Sequence, residues 1–165
     1  MQSFSSIKLK FYIIKTPLFL ISLLCVMLVS CDPSAVEKTY FKCDGNAWDN
    51  TVPTSASFTI EEDGNYAIFF ALRHVEGFQY QELEIIAAII DPEGEKTQDR
   101  FSLKVRADDG SYLGDGSGDI WDIEFPIFEN LKIEKKGKYS IAIKHDMDRN
   151  PLPLVMEYGF VVRKK

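Results

Sequence analysis

Ala56-Ser57-Phe58-Thr59-Ile60-Glu61-Glu62-Asp63-Gly64-Asn65-Tyr66-Ala67-Ile68-Phe69-Phe70-Ala71-Leu72 decides the fold class. Ala56, Phe58 and Ile60 alternate with Ser57, Thr59 and Glu61, the two-residue period of a strand with one buried face. Glu62-Asp63-Gly64-Asn65 is made of turn formers. Beyond it Tyr66, Ile68, Phe70 and Leu72 share one face, while Ala67, Phe69 and Ala71 make the other face apolar too. A strand apolar on both faces lies centrally in its sheet or beneath covering loops.

The same punctuation continues on both sides. Upstream, Thr39, Phe41 and Cys43 alternate with Tyr40 and Lys42. Downstream, Leu83 to Ile90 is apolar nearly all round; this also suits a short buried helix, but its length and β-branched content favour a strand. Asp91-Pro92-Glu93-Gly94 is a turn with proline at its preferred place. Alternating faces follow at Phe101, Leu103 and Val105, then at Trp121, Ile123, Phe125 and Ile127. Leu131 and Ile133 precede the Lys135-Lys136-Gly137 turn; Tyr139, Ile141 and Ile143 follow it. After Pro151-Leu152-Pro153, a last strand carries Leu154, Met156, Tyr158, Phe160 and Val162. Eight or nine short strands without helical periodicity or internal repeat predict an all-β chain, a single jelly-roll-like β-sandwich over residues 39–165.

Residues 1–30 hold Lys8, Lys10 and Lys15 and no acidic residue, and Leu18 to Val29 run with nothing more polar than Ser22. A basic start, a short apolar stretch and a small residue before a cut are the marks of an export signal. The run is short of the roughly 20 apolar residues of a spanning helix, which disfavours an uncleaved anchor. Leu28-Val29-Ser30-Cys31 reads as a lipobox, with Cys31 the lipid attachment site and residues 31–38 a tether. Residues 31–165 carry 16 basic and 25 acidic side chains, a net charge of −9. That balance argues against nucleic acid as a partner, and it leaves no polybasic patch for anionic lipid. Attachment must come from acyl chains such as palmitate, at least two for stable anchoring. Cys25 leaves with the leader and Cys31 takes lipid, so Cys43 stands alone and reads as a small buried hydrophobe.

The glycine- and aspartate-rich run Asp108 to Asp122 invites sharper readings. From Asp115, position six is Ile120 and position twelve is Pro126, so it is no EF-hand, although an irregular calcium loop fits its composition. Gly114, Gly116 and Gly118 give the wrong spacing for a dinucleotide loop, and Ser117 the wrong spacing for a nucleophile elbow. A long connection with glycines at positive φ explains every residue. His74 and His145 lack a partner at catalytic spacing, though Asp146 and Asp148 make a corner beside the latter. The expectation is no catalytic residue, no metal and no cofactor: not an enzyme. Trp48, Phe78, Tyr80, Tyr112 and Trp121 lie in or beside loops. Such rings either close the open ends of a small sandwich or bind, and Trp48, Tyr112 and Trp121 are taken as partner-binding. The same rings would suit a carbohydrate-binding module.

Over nearly all of residues 31–165 the chain resembles the GldH-type gliding motility lipoproteins of Bacteroidota. The resemblance is carried by Cys31-Asp32, Trp48, Leu72-Arg73, Tyr80 with Leu83, Asp91-Pro92-Glu93-Gly94, Asp99 and, most specifically, Asp109 through Ile120. Gly137-Lys138-Tyr139, Met147, Leu152-Pro153 and Tyr158-Gly159-Phe160 complete it. Two departures fall in one loop: Met147-Asp148-Arg149 replaces a Met-Arg pair, and Leu154 stands where glycine would follow Leu-Pro. The resemblance implies a lipid-anchored accessory or scaffold protein of the gliding motility machinery and its associated secretion machinery, bound to envelope proteins and without catalytic residues. The tether's acidic residues are scattered, so an outer-membrane, periplasm-facing domain is expected.

Overall fold

The computed structural model describes residues 34–51 and 54–165; the expected leader and the expected acylation site, Cys31, lie outside the described residues. The described strands are β1 (Ala35–Lys42), β2 (Ala47–Trp48), β3 (Thr54–Ile60), β4 (Gly64–Val75), β5 (Glu82–Ile90), β6 (Lys96–Lys104), β7 (Asp115–Ser117), β8 (Ile120–Ile133), β9 (Gly137–His145), β10 (Leu152–Pro153) and β11 (Val155–Lys164). One sheet runs β1-β11-β4-β8-β7, the other β3-β9-β5-β6, and β10 pairs with β2 as a ribbon. All pairings between the long strands are antiparallel. With the three short strands set aside, eight strands wind between two sheets in jelly-roll order.

The turn in the opening stretch does not close a hairpin. β3 pairs only with β9, while β4 lies between β11 and β8 in the other sheet. Glu61-Glu62-Asp63 is therefore a crossing from one sheet to the other. β4 is central, one of the two placements its apolar faces allow: Tyr66, Ile68, Phe70 and Leu72 enter the core, and Ala67 and Ala71 are buried as well. Phe69 is roofed by the Arg163 guanidinium, 4.6 Å from its centroid. The Leu83–Ile90 segment is likewise a central strand, β5, held by β9 and β6.

One boundary differs from the expectation, and one strand runs longer than its first alternating face. The tether does not extend to Lys38, because β1 begins at Ala35 and pairs there with Arg163. Lys38 stays on the exposed side of an edge strand, where a charge breaks no pairing. The segments at Trp121–Ile127 and Leu131–Ile133 are one strand, β8, whose register against β4 slips between Tyr66 and Phe69. Pro126 is tolerated there because β7 covers β8 only from Ile120 to Asp122, so the rest of β8 is an edge.

The two ends of the sandwich differ. At one, connections 61–63, 91–95 and 134–136 are short. Asp91 Oδ1 accepts the backbone N–H of Glu93 and Glu95, and its other oxygen meets Lys135 Nζ at 3.2 Å. The chain enters the domain at this end: Lys164 N donates to Ser34 O and Lys165 N to Asn65 O. At the other end lie the four long connections, residues 43–53, 76–81, 105–119 and 146–154.

Candidate functional site

The four long connections hold nine acidic residues and two basic ones, Arg106 and Arg149. Most of the negative excess of residues 31–165 thus sits at the loop end. Much of it is spent locally: Asp108 pairs with Lys104, Asp109 Oδ1 accepts from Ser111, and Asp49 Oδ1 accepts from Thr51 and Asn150.

Trp48 is not at the surface. It is 1% exposed, pinned by the β2–β10 ribbon, and stacked on Tyr158 with centroids 3.8 Å apart. Its carbonyl accepts from His145 Nε2 at 3.1 Å. That fixes the proton on Nε2, and Nδ1 faces the Met147 N–H at 3.4 Å. Asn50 completes the clamp. Its carboxamide accepts from the His145 N–H and donates to the His145 carbonyl, taking the place of a neighbouring strand. Asn150 Oδ1 accepts from Asn50 N, so connections 43–53 and 146–154 are braced together. Sequence reading missed both asparagines, since an amide that mimics a strand has no local signature.

Tyr112 and Trp121 do meet, with centroids 5.1 Å apart, but in a brace rather than an open face. The Tyr112 hydroxyl accepts from Gly77 N at 2.6 Å and from Arg106, and it donates to Phe78 O at 3.3 Å. The Arg106 guanidinium lies 4.1 Å over the Tyr112 ring and donates to Phe78 O, fastening connection 105–119 to connection 76–81. Behind the ring lies the buried His74, 4.9 Å away. Gly116 lets Trp121 lie flat on β7, since a Cβ there would meet the indole at 2.9 Å. Both rings are half-buried, and Phe78, another of the loop aromatics, is fully buried. Tyr112→Phe should cost about 1–3 kcal/mol, because Gly77 N and Arg106 lose their acceptor. Urea unfolding of the variant against wild type checks this.

Both histidines are neutral fixtures. Burial pushes each below its ordinary value of 6.5, outweighing the backbone bond to Val75 for His74 and to Trp48 for His145. The unfolded chain therefore binds more protons than the native one just below pH 6.5. Stability should be full above that value and fall as pH drops through it toward the lowered native values. His145→Gln, which keeps a donor for Trp48 O but cannot titrate, should have a shallower fall. Urea midpoints between pH 8 and 5 measure both slopes.

Among the described residues no three of His, Cys, Asp and Glu converge as metal ligands. Cys43 is half-buried, and burial beside Glu157 and Asp44 pushes its thiol up to about 12, where a thiolate is scarce at neutral pH.

One site residue was signalled by a departure. Leu154 has φ +65°, the left-handed region in which a leucine is strained by about 1–2 kcal/mol. Glycine after Leu-Pro would sit there without strain. Leu154 O accepts from Val75 N, and its side chain covers Gly77, whose added Cβ would meet Leu154 Cδ1 at 3.5 Å.

Residues 35–162 match the model of a family described as GldH lipoprotein. The chain is similar to the gliding motility lipoprotein GldH of Flavobacterium johnsoniae, with 31% identity over 120 residues, 72% of this chain and 74% of the relative. It is also similar to a gliding motility lipoprotein GldH homolog of Christiangramia forsetii, with 26% identity over 146 residues, 84% of this chain and 90% of the relative. Among solved structures, TmCBM61 in complex with beta-1,4-galactotriose aligns at 14% identity and TM-score 0.35, over 81% of this chain and 90% of that one. A likeness at that level says nothing about ligands.

Proposed function

Since the chain belongs to the GldH lipoprotein family, we propose that it is a lipid-anchored accessory protein of the gliding motility machinery and its associated secretion machinery, acting by binding other envelope proteins. One observation carries the reading: the chain enters the sandwich at the short-turn end, and the elaborated loops lie at the other. Cys31 precedes Ser34 by three residues, at most about 10 Å of extended chain. Acyl chains on Cys31 would hold the short-turn end at the leaflet. Strands of about nine residues then raise the loop end some 30 Å above it. The acidic loop end is repelled by anionic headgroups, which favours the same posture. Confinement to one leaflet raises the domain's effective concentration beside its neighbours without any catalysis. We place it on the periplasmic face of the outer membrane.

Photo-crosslinking residues introduced in the native organism test this. Positions 79 and 109 at the loop end should capture the same protein neighbours, while positions 62 and 136 should capture little protein. Protein crosslinks confined to positions 62 and 136 would overturn the reading. So would an unaltered location of a Cys31→Ala protein.

A further inference from the structure

Between connections 76–81 and 146–154 the surface sinks into a pocket of about 150 Å³ lined by Gln79, Tyr80, Arg149, Pro153 and Leu154. Its lining is mixed, and the apolar part is Leu154, Pro153 and the Tyr80 ring, which leans on the buried Phe78 with centroids 5.5 Å apart. Leu154 lines the pocket from a left-handed backbone, and its side chain also lies beside Gly77. Strain of this kind persists where surrounding structure enforces it, and it gathers at binding sites.

The polar groups here are uncommitted. Arg73, Arg100 and Arg163 are paired with carboxylates, and Arg106 is spent on Phe78 O and Tyr112. Arg149 alone among the described arginines makes no hydrogen bond or ion pair, although Asp148 is its neighbour in sequence. The Gln79 carboxamide and the Tyr80 hydroxyl are also without hydrogen bonds. An apolar hollow rimmed by a guanidinium, a carboxamide and a phenol is the usual make-up of a specific binding pocket.

Size and charge narrow the occupant. A small-molecule site occupies roughly 300–1,000 Å³, so this hollow takes one side chain and its polar end. The guanidinium fork matches a carboxylate. The surrounding connections are otherwise acidic, which disfavours a ligand that is anionic throughout. We propose that the pocket takes the C-terminal residue of a partner polypeptide. Its apolar side chain lies on Leu154, Pro153 and Tyr80, its carboxylate on Arg149 and Gln79. Basic residues just upstream in the partner meet Asp148 and Glu76.

This assignment rests on the loop end being a protein-binding surface. It is tested with the acylated protein in detergent micelles, by fluorescence polarisation of dye-labelled Lys-Lys-Gly-Ser-Leu. The free acid should bind at least 10-fold tighter than the C-terminal amide, and tighter than Glu-Glu-Gly-Ser-Leu. Arg149→Ala should abolish the preference for acid over amide; Arg149→Lys should recover only part of it. Lys132→Ala, an exposed cation at the short-turn end, should leave binding unchanged. Equal binding of acid and amide, an unaffected Arg149→Ala variant, or no binding at millimolar peptide would each overturn the assignment. So would competition by galacturonate as strong as by the peptide, which would make the pocket a sugar-acid site. Failure here alongside loop-end crosslinks in cells would remove the pocket and leave the proposed function standing.

Discussion

Gly159→Ala is expected to cost about 3 kcal/mol, the upper end of the range for overpacking, and to loosen β1 from its sheet. Gly159 sits in β11 opposite Tyr40, and an added Cβ would lie 2.0 Å from Thr39 O and 2.9 Å from Tyr40 Cα. Those obstacles are backbone atoms, so no rotamer change relieves them and β1 must move as a whole. Thr39 and Phe41 would then lose their seats on the core side. The effect reaches the proposed function, because β1 is the strand that leads back to Cys31. A domain hung from a loosened β1 would no longer be held upright. Denaturant unfolding gives the cost, and hydrogen exchange over residues 37–42 shows whether β1 is the part that opens. Gly110→Ala is the control: its φ is +85° and nothing lies within 4 Å, so only the left-handed penalty of about 1–2 kcal/mol applies. If the two substitutions cost the same, the close approach of β1 and β11 is not enforced.

Trp48→Ala should cost about 3–5 kcal/mol, the range for deleting a large buried aromatic. Besides its stacking on Tyr158, the ring lies 6.0 Å from Phe70 and meets the His145 ring edge-on at 5.0 Å. Removing it leaves a cavity beneath the Asn50–His145–Asn150 clamp, so connections 43–53 and 146–154 should loosen together. Thermal unfolding reads the loss, and faster hydrogen exchange at His145 and Asn50 locates it. Any failure of this variant to capture partners would reflect unfolding. Tyr80, half-exposed at the pocket, is the aromatic whose replacement separates binding from stability. A Trp48→Ala protein as stable as wild type would show that the indole is not a core element.

Much of the candidate site was legible in pieces. The loop aromatics were picked out, but two roles compete for an aromatic in a loop, and local sequence does not choose between them. Trp48 was drawn in because β2 pairs with β10, two residues at the far end of the chain. Tyr112 and Trp121 were held by Arg106 and Gly116, whose parts depend on where 105–119 folds back. Arg149 gained its significance only when every other described arginine was found engaged. Leu154 was visible in advance as a departure from Leu-Pro-Gly, but the reason it mattered, a left-handed backbone, belongs to the folded loop.

Residue pattern by itself determined that this chain is all β, where its main strands run, that β4 is covered on both faces, and to which family it belongs. Those are properties of period-two burial and of short motifs, and each is written within a few neighbouring residues. Tertiary structure alone decided which sheet each strand joins, which rings are buried and which end carries the loops. Alternation records that one face of a strand is covered but not by what. Three turn-forming residues can close a hairpin or cross to the other sheet with the same composition. Only the pairing of β3 with β9 and of β4 with β11, strands that are far apart in the chain, separates those outcomes.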